Sequence, residues 1–386
     1  MRVASSPGCE RVGEITMIAI AGEPRATQPD QEAAPTDVAH GRDEISILVD
    51  CRWLGWGGAG RVTELLLAEL RDAQPGGTWS LWGDPKLVTP FLFAGASIAP
   101  WSGSPRRWFG QGDLLRVPRN DFAVYLHQIR PFRLGRSITF VYDTIPVRFE
   151  RRRTGRIARR FFFGLACRLS SRIITISAWS RDSITRDLAV PRSKISVITL
   201  AVDERRVRRI RAMRRSSIRR NDVVYIGRFA EHKNLQRLCS AFQSTAVHRQ
   251  GGRLLLVGGS SDEVKAMSVW LNEQQYLDVQ VRGICPEAEL DEILATCQAL
   301  VQPSLEEGFG LPAVEAAAVG VQVAASRTGF APQIPAEMVT FLDPLDVRSI
   351  ANAIDDAVAR PDVETEWLPK STLSEGLLRA IREVAG

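Results

Sequence analysis

From Glu44 onward the chain repeats one pattern, a short apolar β-branched run followed by a stretch with helical spacing. It does so in two sets on either side of an arginine-rich segment. The first set supplies ISILVD, TWSLWGD, DFAVYLHQ, SITFVYD, RIITISAWS and KISVITL, with RVTELLLAELRDA as an amphipathic helix between the first two. The second set supplies DVVYIGR, GRLLLVGGS, LDVQVRG, ALVQPS and VQVAAS, separated by the helical stretches NLQRLCSAF, DEVKAMSVWL, AELDEILATC and LPAVEAAAVG. Strands joined through helices pair in parallel, and a parallel sheet is covered on both faces. The expected architecture is therefore α/β, two Rossmann-like domains facing each other across a cleft. Such sheets bind ligands beyond the carboxyl ends of their strands.

The boundaries follow from composition. Residues 1–43 are rich in Ala, Pro, Gln, Asp and Glu and are expected as a disordered tail. Residues 44–202 form the first domain, and 203–220, which includes DERRVRRIRAMRRSSIRR, is expected as a basic connector that buries little. Residues 221–360 form the second domain, and 361–386 a tail packing back on the first. The six cysteines are scattered without metal-ligand spacing, so neither a zinc site nor a disulfide framework is indicated. No run approaches ~18 apolar residues and the start lacks the order of a secretion signal, which points to a cytoplasmic protein.

Two segments carry the chemistry. In SLEEGFGLPAVEAAAVG a strand ends, Gly308 and Gly310 flank Phe309, and a helix begins near Pro312. Glycines that let backbone N–H groups approach a ligand, followed by a helix N-terminus, favour an anion such as phosphate. Glu307 on the loop and Glu315 in the helix are carboxylates suited to accept from paired sugar hydroxyls. In YIGRFAEHKNLQRL, Arg228 follows a strand and Lys233 opens the next helix, two cations able to clamp a diphosphate.

Together these segments resemble family 4 of the retaining glycosyltransferases, with the GT-B fold. The matching residues are Gly227, Arg228, Lys233, Asn234, Pro303, Ser304, Glu307, Gly308, Phe309, Gly310 and Glu315. The resemblance implies a nucleotide-sugar donor whose diphosphate is held by Arg228 and Lys233. It also implies that Glu307 meets the transferred sugar, that Glu315 meets the ribose, and that Gly283 and Ile284 wall the base pocket. It implies transfer of a hexose, mannose from GDP-mannose being the leading donor, to a glycan or lipid-linked acceptor in surface-polysaccharide or glycolipid assembly. No cofactor or metal is expected, because two cations and a helix terminus already offset the diphosphate.

The first half departs from the family pattern at one place. Where many relatives have His-Asp at a strand end, this chain has Tyr142 and Asp143. Tyr142 can hydrogen-bond a sugar but does not titrate near neutrality; His127 in the preceding strand reads either as a partial substitute or, the commoner case for a lone His at a strand end, as a structural residue. The loop GWGGAGR has the Gly55, Gly57, Gly60 spacing of a dinucleotide fingerprint, which leaves a nicotinamide oxidoreductase as the rival reading. Four residues separate Asp50 from Gly55, however, and Asp84 lies beyond the expected ribose acid. The preferred use is the family's glycine-rich loop, with Gly57 and Gly58 facing acceptor and donor phosphate. A non-catalytic sugar-nucleotide-binding protein is the other rival, suggested by Tyr142.

Formal charge is +6, gathered in two arginine-rich stretches. The stretch with Arg151 to Arg160 and Phe161 to Phe163 reads either as a solvated helix packed by its phenylalanines or as a contact with an anionic membrane. The second use would place the protein peripherally at the inner face of the membrane. No nucleic-acid recognition motif accompanies the arginines.

Overall fold

The computed structural model describes residues 45–385 apart from 56, 102–116 and 132, so the tail expected over residues 1–43 lies outside the described residues. Seven strands form the first sheet: β1 (Ser46–Asp50), β2 (Thr78–Gly83), β3 (Ala96–Pro100), β4 (Phe122–Tyr125), β5 (Arg136–Phe140), β6 (Arg172–Thr175) and β7 (Ile195–Val197). They run parallel in the order β3-β2-β1-β4-β5-β6-β7. Six make the second: β8 (Asp222–Ile226), β9 (Arg253–Val257), β10 (Val279–Gly283), β11 (Ala299–Gln302), β12 (Gln322–Ser326) and β13 (Val339–Leu342). These are parallel in the order β10-β9-β8-β11-β12-β13. The central strands are buried along their whole length because helices cover both faces, which is why their middles are apolar and polar residues such as Gln302, Gln322 and Ser326 stand only at their ends.

The order of each sheet reverses between its first strand and a later neighbour, β1 with β4 in one and β8 with β11 in the other. At such a reversal the connecting helices depart to opposite faces and leave a crevice at the carboxyl ends of the strands. The two motifs read from the sequence leave from the second of these crevices, one after β8 and one after β11.

Residues 203–220 correct the expectation of a connector that buries little. Helix Glu204–Ser216 is capped by Asp203, whose side chain accepts from the amides of Arg205 and Arg206. It buries Val207, Ile210 and Arg214. Val207 and Ile210 join one apolar cluster reaching from Leu66 and Ile198 in the first domain to Leu294 and Leu300 in the second. The arginine count misled because a guanidinium can be buried where a carboxylate faces it: Asp291 receives Arg206, and Asp362 receives Arg214.

Beyond helix Val347–Ala359 the chain crosses back. Helix Leu373–Ala385 buries Leu373, Leu377, Ala380 and Ile381 against helix Gly57–Ala73 and strands β5 to β7. The amide of Thr372 donates to the carbonyl of Thr199, and Arg136 Nη1 to the carbonyl of Ala385. Among the described residues no helix is long and apolar enough to cross a membrane.

Candidate functional site

The loop after β8 makes a single turn at Glu231–Lys233 and enters helix Leu235–Phe242 through Asn234, held at φ 63°. The Asn234 side chain explains that left-handed backbone, since it donates to the carbonyls of Pro303 (3.1 Å) and Pro344 (2.6 Å). The amide of Leu305 donates to the carbonyl of His232 at 2.7 Å, so the loops after β8 and β11 are laced together. Lys233 Nζ then lies 2.5 Å from Glu307 Oε1, which also accepts from Ser304 Oγ at 2.9 Å.

Helix Leu311–Ala318 starts at Gly310, whose φ of 88° favours glycine and where a Cβ would press on the Gln302 amide at 2.7 Å. Its small side chains, from Ala313 to Ala318, are buried against β11 and β12, which brings the helix N-terminus close to the strand ends. Phe309 is committed to the core: its ring stacks on Phe330 at 4.7 Å and its carbonyl accepts from Phe330. Only its amide remains for a ligand.

The first domain closes on this loop. Ser177 Oγ and Ser180 Oγ both donate to the carbonyl of Gly308, at 2.6 and 3.1 Å. Trp179 Nε1 donates to Glu306 Oε2 at 3.0 Å, and Arg148 pairs with Glu306. Asp143 stands beside the same loop, and a Cβ added at Gly308 would lie 3.1 Å from its Oδ2. Burial, with the Glu307 carboxylate adding to it, pushes the Asp143 carboxyl up to about 6, while the Ile145 amide and Lys233 pull the other way. Glu307, Lys233, Gly308 and Asp143 thus converge from two domains.

Other expected site residues lie apart from this group. Arg228 is exposed and pairs with Glu263 at 2.9 Å. Glu315 pairs with Arg206 at 2.9 Å, and burial raises its pKa against the opposing charges of Arg206 and Arg61. Gly283 ends β10 at φ 64° and Ile284 beside it is 70% exposed. Gly57 and Gly58 are exposed in the first turn of helix Gly57–Ala73, a correction to their reading as loop residues. Gly60 follows in that turn because a Cβ there would strike the carbonyl of Trp53 at 2.8 Å. Asp84 caps the short helix Pro85–Val88 through the amide of Lys86.

Tyr142 requires a second correction. Its ring is buried and its hydroxyl donates to the carbonyl of Leu126 at 2.7 Å, so the proton expected for a sugar is already used. His127 does not stand in as an acid: it stacks on Trp53 at 3.9 Å, its Nδ1 accepts from the amide of Ile129, and burial holds its pKa down at about 3. Sequence reasoning also missed Ser177, Trp179, Ser180 and Asp291 as neighbours of the motif. The one local signal was Ser177 three residues before Ser180 at a strand-to-helix junction, the pattern of an N-cap, which it also is. Among the described residues no group of three or more His, Cys, Asp or Glu could hold a metal ion.

Residues 208–370 match the family model described as glycosyl transferases group 1. The chain is 24% identical over 261 residues to the O-antigen chain mannosyltransferase RfbU of Salmonella typhimurium, covering 66% of this chain and 70% of that one. It is 28% identical over 237 residues to O-antigen chain mannosyltransferase B of Escherichia coli, covering 57% of this chain and 61% of the relative. In three dimensions it resembles the Anabaena protein HepE, solved in complex with UDP and glucose, with a TM-score of 0.58 at 17% identity over 88% of this chain and 95% of that one. The architecture is that of the GT-B fold, and residues 208–370 are similar to the group 1 glycosyl transferases. The group 1 match falls on the second domain, which carries the Lys233 and Glu307 loops.

Proposed function

We propose that this chain transfers a hexose from a nucleoside diphosphate sugar to a hydroxyl of a glycan or lipid-linked acceptor, with retention of anomeric configuration. The observation that carries the reading is the meeting of Lys233, Glu307, Gly308 and Asp143 at the carboxyl edges of two facing sheets. On donor binding, Lys233 and Arg228 exchange their carboxylate partners for diphosphate oxygens, and the N-terminus of helix Leu311–Ala318 adds its partial positive charge. Glu307 orients the sugar and Glu315 accepts from the ribose. The bond from the anomeric carbon to the diphosphate oxygen breaks as the acceptor oxygen bonds to that carbon on the same face. The acceptor proton passes to the departing diphosphate, whose charge the cations stabilise. No protein nucleophile is assigned, and in this reading no metal ion takes part.

GDP-mannose is the leading donor, supported by the names of two relatives that are mannosyltransferases; the UDP and glucose bound to HepE make UDP-glucose the alternative to test. A lipid-linked acceptor suits helix Arg153–Leu169. Ile157 and Phe161, one turn apart, are 61% and 60% exposed, and Arg153, Arg156 and Arg160 around them are exposed too. An apolar ridge within a basic face matches an anionic lipid surface, which would hold the protein at the cytoplasmic face of a membrane.

A thermal-shift panel of GDP, UDP, GDP-mannose and UDP-glucose tests the donor, since a ligand of the native state raises the melting temperature. Transfer by the purified protein, with the product anomer read by NMR and repeated in chelator, tests the rest. No stabilisation by any of the four would remove the nucleotide-sugar reading. Inverted product would remove retention, and turnover lost in chelator and restored by magnesium would remove the metal-free mechanism.

A further inference from the structure

Arg206 occupies the first turn of helix Glu204–Ser216, where the helix dipole disfavours a cation. Its side chain is only 11% exposed, so desolvation adds to that cost. Two carboxylates from two other helices offset both. Arg206 Nε donates to Asp291 Oδ1 at 2.7 Å, and Arg206 Nη1 to Glu315 Oε1 at 2.9 Å. Asp291, 2% exposed, is already paired with Arg209 at its second oxygen, so it does not need the whole of the Arg206 charge, which is left to hold Glu315. The reach to Glu315 therefore serves Glu315.

We propose that Arg206 is a positioning residue for nucleotide binding: it holds Glu315 for the donor's ribose, braced on Asp291, from the helix on which the chain enters the second domain. The inference rests on the reading that Glu315 accepts from the ribose. Only Glu315 Oε1 is used by Arg206, and among the described residues no hydrogen bond reaches Oε2, which is left to accept from hydroxyls. The guanidinium fixes the carboxylate's plane, so less freedom is lost when a ligand arrives.

The charges facing Glu315 come from three elements. Arg206 stands on helix Glu204–Ser216, Asp291 and Glu287 on helix Glu287–Thr296, and Arg61 on helix Gly57–Ala73. Burial, Asp291 and Glu287 favour the protonated form, and Arg206 is the largest opposing influence, ahead of Arg61. Without Arg206 the Glu315 pKa rises further, and the acceptor is lost progressively as pH falls.

The test is calorimetric titration of GDP and UDP from pH 6 to 8.5 into the wild type, Arg206→Gln, Arg206→Lys, Glu315→Gln and the double Gln variant. Arg206→Gln is expected to bind about tenfold more weakly at the acid end, the scale of one hydrogen bond to a charged group, and to recover as pH rises. Arg206→Lys, which keeps the charge without the fork, should fall between it and wild type with a flat pH profile. The double variant should bind no worse than Glu315→Gln alone, because Arg206 acts through Glu315. Additive losses, or a pH-independent loss in Arg206→Gln, would mark a merely structural role and overturn the proposal. Should Arg206→Gln fail to fold, Arg206→Lys decides alone: wild-type affinity with wild-type additivity to Glu315→Gln overturns it. If Glu315→Gln binds normally while Lys233→Ala does not, the ribose assignment itself is wrong, and the Arg206 proposal falls with it.

Discussion

Lys233 Nζ sits 2.5 Å from Glu307 Oε1, so the cation assigned to the diphosphate is held, before any donor arrives, by the carboxylate assigned to the sugar. The pair is largely buried, the two side chains being 17% and 9% exposed. Breaking a buried pair from one side leaves an uncompensated charge, so the two halves are expected to fail differently. Lys233→Ala should cost ~3 kcal/mol of stability as well as donor affinity. Glu307→Gln also strips Lys233 of its carboxylate but leaves an amide oxygen in its place, so it should cost less stability than Lys233→Ala, keep nucleoside diphosphate affinity and lose transfer, because the sugar is no longer held in line. Melting curves, GDP and UDP titration and transfer rates separate these outcomes, and normal transfer by Glu307→Gln would sink the assignment.

Asp143 gives the site a pH signature. Its folded pKa of about 6 stands above the ~3.9 of an unfolded aspartate, so the folded protein binds the proton more tightly. Ionised Asp143 therefore destabilises the fold above pH 6, and that cost is relieved as pH falls from about 6 toward ~4, where the unfolded chain takes up the proton as well. Asp143→Asn keeps an acceptor for the Ile145 amide and removes the charge. It should raise stability at pH 7.5 by on the order of 1 kcal/mol, part-exposure to the cleft reducing the full effect, and flatten the profile between pH 4 and 6. Parallel melting curves for both proteins across that window would contradict this.

Arg228 is met by Glu263, whose other oxygen accepts from the amide of Ser260 in a capping box. A carboxylate beside an incoming diphosphate competes for the same guanidinium. Glu263→Gln retains the cap acceptor and is expected to raise nucleoside diphosphate affinity severalfold, most clearly at low salt. An affinity equal to or below wild type at low ionic strength argues against Arg228 as a diphosphate ligand.

Ser177 and Ser180 grip the carbonyl of Gly308 from the opposite domain. Replacing both by Ala leaves that buried carbonyl without donors, a penalty of about 1–3 kcal/mol. Transfer should slow while GDP and UDP affinity, governed by the second domain, changes little. Loss of nucleotide binding equal to the loss of rate would show that the clamp is not specific to the closed arrangement.

For the lipid surface, Ile157→Ser with Phe161→Ser should cut sedimentation with phosphatidylglycerol vesicles and leave nucleotide binding intact. Both side chains are solvent-exposed, so folding is not expected to suffer. Unchanged vesicle binding would return this face of the helix to a solvated role.

The parallel sheets were legible because burial on both faces writes itself into the strands as short apolar runs: VVYI of β8 and ALV of β11 have no other home. The Lys233 and Glu307 loops were legible because glycine and helix-start chemistry is local. Helix Glu204–Ser216 was not, since its arginines are neutralised by Asp291 and Asp362, far along the chain. Nor was the Ser177 to Gly308 contact, made across 131 positions. The Tyr142 hydroxyl was misjudged because its acceptor is a main-chain carbonyl, Leu126, which no side-chain pattern advertises.

The docking of helix Leu373–Ala385 on the first sheet sets an order of events during synthesis. The first domain emerges from the ribosome early, yet the face of β5 to β7 receives Leu373, Leu377 and Ile381 only after the whole second domain has been made. Its closing contact, Arg136 to Ala385, spans 249 positions. The domain born first is therefore completed only after the second has been made, and until then its uncovered apolar strip is a target for chaperones and for aggregation. A chain stopped before Leu373 would retain the Lys233 and Glu307 loops and still lack the cover its first domain requires.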